Sequence, residues 1–162
     1  MRQPKGIFRK LRLTPGQLRA VAEKRYEDAQ CLLKSDQSAR ANGAMYMGGF
    51  VIECLLKAML LERHPNLQQP VDPAKLSKPD LEVHRLLYSH DLDAMLEFLP
   101  EVETKLGAMQ STKGTPVLTR FRAICEEWTV YARYSPKHAT IEGDARPFLE
   151  TIREVKTWLK RL

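Results

Sequence analysis

The chain has few of the residues and patterns that mark metalloproteins, nucleotide-cofactor enzymes and β-proteins. It contains three cysteines and four histidines in 162 residues, and none of them stands at the spacing of a zinc site. It has no P-loop, no glycine-rich dinucleotide turn and no HExxH sequence. It also shows no strand-like alternation of useful length and no internal repeat. We therefore expect an all-α protein with no cofactor and no metal.

The cysteines also bear on the cellular compartment. Cys31, Cys54 and Cys125 are odd in number, and each lies in an apolar helical context. This pattern is typical of buried, unpaired thiols in a reducing cytosol rather than of a disulfide framework. No apolar segment of a signal peptide follows the basic N-terminus. The sequence therefore predicts a cytoplasmic protein.

The net charge of +6 is concentrated at the N-terminus. Residues 1–25 hold eight basic residues and one acid, whereas the remainder has eighteen basic and nineteen acidic residues. A basic arm at residues 1–13 can attract phosphates over long range, which suits a nucleic-acid partner. The alternative is a solvated tail with no ligand.

One apolar run, residues 44–61 (AMYMGGFVIECLLKAMLL), has the length of a membrane span. Glu53 and Lys57 lie inside it. Because a central charge costs about 2.5–3.5 kcal/mol on insertion, two charges argue against spanning. We expect no membrane association.

Apolar residues recur at helical spacing along a single domain from residue 14 to residue 162. The first helix is predicted to begin with a capping box at Thr14 and Gln17 and to end near Lys34. Residues 65–80 hold four prolines and predict a loop, and 101–114 have no clear assignment. The fold class is an antiparallel bundle of four or five helices. The further helices are predicted from Ser38 or Asn42 to Arg63, over 81–88, from Ser89 or Asp91 to Leu99, from Thr115 to the region of Arg133, and through Phe148, Ile152, Val155, Leu159 and Leu162.

The second helix carries one polar stripe. Tyr46, Gly49, Glu53 and Lys57 fall on one face, and Glu53 and Lys57 form an i, i+4 pair in the favourable order. One interpretation is an ion pair at the edge of the core. The other is a binding site lined by Glu53 and Lys57, where Gly49 makes room for a ligand or a second subunit.

The segment from Trp128 to His138 carries residues suited to RNA chemistry. Arg133 is predicted to end the apolar helix, and Pro136 lets the chain fold His138 back toward it. An imidazole can take a proton from a ribose 2′-hydroxyl or give one to the leaving oxygen. A guanidinium can neutralise charge that grows on the phosphate. The alternative is an arginine at a helix C-terminus and a histidine in an exposed loop.

Three motifs in order resemble the HEPN family of small helical domains. They are residues 44–58 with their small residues, glutamate and Leu-Lys pair, residues 89–96 (SHDLDAML), and Trp128 followed by Arg133-Tyr134. Together they span nearly the whole chain. His90 is expected to order the turn before the next helix, and Trp128 is expected to lie in the core.

The resemblance implies a homodimer with a cleft formed by both subunits. Many family members are metal-independent ribonucleases, often toxins or defence effectors, that use an Arg-x4-6-His motif, which Arg133 and His138 match. The resemblance assigns catalysis to these two residues and implies that Glu53, Lys57, Tyr134 and Lys137 bind substrate RNA.

Catalytic members usually place a small polar residue after the arginine, where this chain has Tyr134. A second function therefore stays open. It is that of a non-catalytic module that binds a nucleotide or partners a nucleotidyltransferase or an antitoxin.

Overall fold

The computed structural model of the chain describes residues 14–34, 40–128 and 142–162. These residues form seven α-helices and no β-strand, which confirms the all-α class. The number of helices exceeds the four or five expected. The helices are α1 (Pro15–Leu33), α2 (Ala41–Arg63), α3 (Lys78–Leu86), α4 (Leu92–Glu97), α5 (Pro100–Ala108), α6 (Val117–Glu127) and α7 (Glu142–Leu159).

Helix α1 begins where the sequence predicts. The Thr14 hydroxyl accepts a hydrogen bond from the Gln17 backbone N–H at 3.2 Å, and the Gln17 side chain accepts one from the Thr14 N–H at 3.2 Å. These bonds satisfy two donors that the first turn of a helix leaves without intrahelical partners. The capping box is therefore confirmed.

Helix α2 is the centre of the fold and contacts α1, α4 and α7. Every residue from 51 to 61 is buried. Its N-cap is Arg40, which makes no side-chain capping bond, and Asn42 lies inside the helix. Asn42 was therefore a wrong choice of cap, and Ser38 lies outside the described residues. Each fully buried leucine contributes about 1.5–3 kcal/mol, so burial rather than capping stabilises this helix.

Ion pairs fix the directions of the three long helices. Arg19 Nη2 lies 2.9 Å from Glu62 Oε2, which joins the start of α1 to the end of α2 and makes them antiparallel. Lys156 and Lys160, near the end of α7, bind Glu23 in α1 at 2.6 and 2.8 Å. These two hydrogen-bonded ammonium groups lower the pKa of the Glu23 carboxyl. Leu33 at the end of α1 and Arg146 near the start of α7 line one pocket, so α7 is antiparallel to α1 and runs in the same direction as α2.

Among the described helices, α2 is the one long and apolar enough to cross a membrane. Its most apolar window has a mean hydropathy of 1.6, and 78% of that window is buried inside the chain's own fold. Core helices of soluble proteins pass the same test, so this property is weak support for a membrane span.

The proline-rich segment 65–80 contains more helix than expected. Short 3-10 helices cover Pro65–Gln68 and Pro73–Lys75, and α3 starts at Lys78. Ser77 caps α3 because its hydroxyl accepts a bond from the Asp80 backbone N–H. Prolines at the first positions of these turns start helices here rather than break them.

Proline at a helix start also explains α5, a helix that the sequence did not predict. The sequence predicts the end of a helix at Leu99 and assigns no helix directly after it, but Pro100 opens α5, which fills most of 101–114. Thr115 was expected to cap α6, yet its hydroxyl lies 2.9 Å from that of Ser111, and Pro116 precedes α6 instead. The expected cap at Thr115, with Pro116 as the first helical residue, is therefore one residue early.

Helix α6 ends earlier than the apolar stripe suggested. The helix stops at Glu127, and the Trp128 backbone is extended, with φ −92° and ψ 132°. The prediction that the helix continues to Arg133 is therefore wrong. The physical reason is the Trp128 side chain, which packs on α2 and donates a hydrogen bond from Nε1 to the Tyr46 carbonyl oxygen at 3.1 Å.

The stripe predicted for α7 is confirmed over most of its length. Phe148, Ile152, Val155 and Leu159 are all buried. Leu162 lies beyond the end of the helix and is exposed, so its place in the stripe was wrong.

Substituting Gly49 tests the contact between α2 and Trp128. A Cβ added at Gly49 would lie 2.0 Å from Trp128 Nε1. Helix propensity alone would favour alanine by about 1 kcal/mol. Overpacking costs about 1–3 kcal/mol or more, and here the indole must leave its place on α2. We expect Gly49→Ala to lower the free energy of urea unfolding.

Gly107→Ala is the matched control for this substitution. A Cβ there would lie 3.7 Å from the Leu118 side chain, an ordinary contact. We expect this variant to be more stable than wild type by about 0.5–1 kcal/mol. Equal stability of Gly49→Ala and wild type would contradict the contact.

The thiols give a second test of the fold. Cys31 is exposed and Cys125 is half-buried, so of the three cysteines only Cys54 is buried as expected. Burial raises the pKa of the Cys54 thiol to about 11 and also raises that of Cys125. Because the thiolate is the reactive form, we expect Cys31 alone to react rapidly with a disulfide reagent at neutral pH. Fast reaction of native Cys31→Ser protein would overturn this expectation.

Candidate functional site

A buried ion pair in α2 forms the base of the candidate site. Lys57 Nζ lies 2.6 Å from Glu53 Oε1, and the side chains are only 9% and 5% exposed. Lys57 Nζ also donates to the Ser89 backbone carbonyl at 2.8 Å. The i, i+4 pair that the spacing predicted is therefore present. It lies within the core and holds the turn between α3 and α4.

His90 extends this pair to the surface. Its Nδ1 lies 2.9 Å from Glu53 Oε2, while its side chain is 45% exposed. The next residue, Asp91, caps α4 by accepting a bond from the Ala94 backbone N–H at 2.9 Å, as predicted. Glu53, Lys57, Ser89 and His90 thus form one continuous set of hydrogen bonds, which we call the polar network.

The polar network suits an imidazole that exchanges protons with solvent. When His90 is neutral, the carboxylate of Glu53 favours the tautomer that carries its proton on Nδ1. The other nitrogen, Nε2, is then an acceptor for an external proton. A carboxylate that orients an imidazole is a recurrent arrangement in acid–base catalysis. Of the Glu53, Lys57 and His90 side chains, that of His90 is the most exposed.

An aromatic wall stands beside the polar network. The Phe50 ring meets the rings of Tyr46, Trp128 and His90 edge to face, at centroid distances of 4.9, 5.4 and 5.8 Å. Edge-to-face contacts of this kind stabilise ring pairs beyond their buried area. The wall therefore fixes the His90 ring from the side while Glu53 fixes its nitrogen.

Phe50 and Tyr46 also line a cavity of about 260 Å³ between α1 and α2. It is mostly apolar, with the guanidinium of Arg25 as its cation. That guanidinium lies 3.3 Å from Asp28 and 4.0 Å from the Met47 sulfur. The cavity is lined by Val21, Arg25, Tyr46, Met47, Phe50 and Cys54.

The geometry favours the interpretation of the polar stripe on α2 as an ion pair over its interpretation as a binding site. Trp128 occupies the space at Gly49, so this glycine makes room for the chain's own indole rather than for a ligand or a second subunit. Glu53 and Lys57 are buried as an ion pair, and their contact with the surroundings runs through His90. As expected, His90 orders its turn, and Trp128 is a core residue with 6% exposure.

Sequence reasoning missed the contact between His90 and Glu53. The two residues are 37 positions apart, and neither has a local pattern that names the other. The signal in the sequence is the combination of a charged position in an apolar helix with a Ser-His-Asp turn.

Four of the predicted site residues lie outside the described residues. They are Arg133, Tyr134, Lys137 and His138, and the basic arm at 1–13 is outside as well. Among the residues that the structure describes, no three His, Cys, Asp or Glu side chains cluster as metal ligands would.

A double-mutant cycle tests whether the ion pair is held in the core. Removing one partner of a buried pair costs about 3–5 kcal/mol, because an uncompensated charge stays buried. We expect Glu53→Gln and Lys57→Met each to lose stability on that scale in urea unfolding. The double variant should lose much less than the sum of the two.

The exposed pair Arg19–Glu62 supplies the control cycle. Its side chains are 35% and 46% exposed, so solvent screens it and its coupling should be about 0.2–1 kcal/mol. Equal coupling in the two cycles would show that the α2 pair is not desolvated.

Comparison with known proteins identifies no family for this chain. No family model, no curated protein and no solved structure matches the chain. The resemblance to HEPN domains therefore stays a prediction from the residues themselves.

Proposed function

We propose that this chain is a HEPN-like, metal-independent endoribonuclease that acts in the cytoplasm as a toxin or defence effector. Arg133 and His138 carry the chemistry, in a cleft between the two subunits of a homodimer. The observation that supports this proposal is the anchoring of Trp128. Its indole donates a hydrogen bond to the Tyr46 carbonyl in α2, about two turns before Glu53, and contacts the same Phe50 ring as His90.

The anchored tryptophan limits how far the catalytic arginine can lie from the polar network. Arg133 follows Trp128 by five positions, and an extended chain advances at most about 3.6 Å per residue. Arg133 is therefore within roughly 18 Å of Trp128 at the longest, and any turn shortens this distance. This limit is compatible with an Arg133 that approaches the surface where His90 is exposed, as the proposal requires.

The proposed reaction needs no metal. His138 takes the proton of a ribose 2′-hydroxyl, and the resulting oxygen attacks the adjacent phosphorus. The bond from phosphorus to the 5′-oxygen breaks, and a protonated imidazole or water returns a proton to that oxygen. The products are a 2′,3′-cyclic phosphate and a 5′-hydroxyl. Arg133 neutralises the charge that develops on the phosphoryl oxygens.

The other predicted residues support this step in different ways. Tyr134 stacks on a base and Lys137 pairs with a phosphate, while the basic arm at 1–13 attracts the RNA strand. Glu53 and Lys57 are too buried to touch RNA directly, so they act by orienting His90.

A second candidate function has one observation in its favour. Glu53 and Lys57 bind each other and the α3–α4 turn, as they would in a domain whose polar residues serve stability alone. In that case the chain is a non-catalytic module that binds a nucleotide or partners a nucleotidyltransferase or an antitoxin. Such a role would survive the loss of His138.

Cleavage of RNA in the presence of EDTA tests the proposed activity. We expect wild-type protein to release fragments with cyclic phosphate and 5′-hydroxyl ends. Because general acid–base groups contribute about 10²- to 10⁴-fold, His138→Ala should lower the rate by that factor. His84→Ala is the matched control, since His84 lies in α3 and its ring contacts Tyr88 rather than a residue of the polar network.

The outcomes separate the two functions. Equal cleavage by wild type, His138→Ala and His84→Ala would point to a contaminating nuclease and overturn the assignment of His138. No cleavage by folded, dimeric wild type would leave the non-catalytic module as the function to pursue.

A further inference from the structure

The cavity between α1 and α2, which we call the α1–α2 cavity, lies beside the aromatic wall, and no step of the proposed reaction uses it. Both helices line it, α1 with Val21 and Arg25 and α2 with Tyr46, Met47, Phe50 and Cys54. Its volume is about 260 Å³. Because an apolar cavity of about 150 Å³ is large enough for benzene, this one has room for a ring with a short side chain.

The walls of the α1–α2 cavity suit an apolar group. Phe50 and Tyr46 contribute aromatic surface, and Met47 contributes an unbranched, polarisable thioether that adapts to the shape of a neighbour. Cys54 is 8% exposed, and burial raises the pKa of its thiol to about 11, so the thiol is uncharged at neutral pH. An apolar group that enters the cavity therefore replaces water on largely uncharged surface, which is favourable.

Arg25 supplies a positive charge at the opening of the cavity. Its side chain is 43% exposed, so it lies between solvent and the apolar lining. Its contacts with Asp28 at 3.3 Å and with the Met47 sulfur at 4.0 Å both involve Nη1. A guanidinium has five N–H donors, and a carboxylate can accept from two of them at once. A carboxylate can therefore pair with Nε and Nη2 while Nη1 keeps its contact with Asp28.

Asp28 offsets the charge of Arg25 only in part, because it also serves a second cation. Its other oxygen, Oδ1, lies 3.3 Å from Lys24 Nζ. Charge-assisted bonds of this type are usually about 2.7–2.9 Å long, and both Asp28 contacts are longer. Lys24 also lies 3.9 Å from Glu27, but these side chains are 68% and 70% exposed, so solvent screens that contact. The charge of Arg25 acts inside the cavity as well, since it lowers the Cys54 pKa against the larger effect of burial.

We propose that the α1–α2 cavity binds a small monocarboxylate with an apolar body. The body packs between Met47 and Phe50, and the carboxylate pairs with Arg25 at the opening. A hydrocarbon of the same size would leave the guanidinium without a matching group. A dicarboxylate or a phosphate would bring more negative charge than Arg25, the one cation among the described lining residues, can balance.

Occupation of the cavity would reach the polar network through Phe50. The Phe50 ring lines the cavity and also meets the His90 ring edge to face, at a centroid distance of 5.8 Å. A ligand that packs on Phe50 therefore changes the surroundings of His90 without touching it. This contact gives binding a spectroscopic signature outside the cavity.

Calorimetric titration of the full chain tests this proposal. The probes are hydrocinnamate, which joins a phenyl ring to a carboxylate through two methylenes, and its neutral amide. We expect saturable binding of the acid at one site per chain. The amide should bind about tenfold more weakly, because it lacks the charge-assisted pair with Arg25.

Nuclear magnetic resonance locates the bound probe. During the same titration, the Met47 methyl signal and the His90 ring signals should shift. The Met95 methyl signal should stay in place, because Met95 is buried in α4 and does not line the cavity.

Arg25→Met and Lys24→Met form a matched pair of variants. Each removes one positive charge and one contact with Asp28, but of the two residues only Arg25 lines the cavity. Arg25→Met should bind the acid as weakly as the amide, whereas Lys24→Met should bind the acid as wild type does. Val21→Leu narrows the cavity and should weaken the acid and the amide to the same extent.

Each outcome decides the proposal. It is overturned if folded wild type shows no saturable binding, if the acid and the amide bind equally, or if both methionine variants lose the same affinity. An affinity that falls as the protein concentration rises would assign the cavity to a second copy of the chain and would also overturn it. These titrations measure binding alone, so failure of the RNA cleavage test would not affect them.

Discussion

The arrangement of the core depends on one ion pair inside the most apolar helix. Lys57 and Glu53 are desolvated in α2, and each is satisfied by a group from the α3–α4 turn, Ser89 for the ammonium and His90 for the carboxylate. A buried charge without such partners would cost several kcal/mol. The pair therefore specifies where α3 and α4 meet α2, and it gives His90 a fixed orientation at the surface. The position of the His90 ring at this surface thus depends on two buried residues, Glu53 and Lys57.

The contact between Gly49 and Trp128 adds a second constraint on the same helix. Because glycine has no side chain, the indole reaches the backbone of α2 and binds the Tyr46 carbonyl. This contact accompanies the end of α6 at Glu127. The polar network and the indole lie against the same Phe50 ring, so a disturbance at either would reach the other through direct packing.

The sequence predicted those parts of the structure that depend on neighbouring residues. The Thr14 capping box, the Asp91 cap, the i, i+4 pair in α2 and the apolar stripe of α7 all follow from local bonding rules. The loop predicted at 65–80 and the missing α5 were errors about proline. Pro79 and Pro100 lie at helix starts, where the missing N–H needs no intrahelical partner. The end of α6 at Glu127 and the bond between His90 and Glu53 depend on long-range packing, which no local pattern contains.

The distance along the chain between Tyr46 and Trp128 has a consequence for synthesis. Trp128 follows Tyr46 by 82 residues, and α7 comes later still. At about 5–20 residues per second, a ribosome needs roughly 4–16 s to add them. During that interval the face of α2 that carries Gly48 and Gly49 is uncovered, because the residues that pack on it in the folded chain have not yet been synthesised. The nascent chain thus presents an apolar helix to chaperones and to other chains for seconds, which makes this stretch the point where misassembly competes with folding.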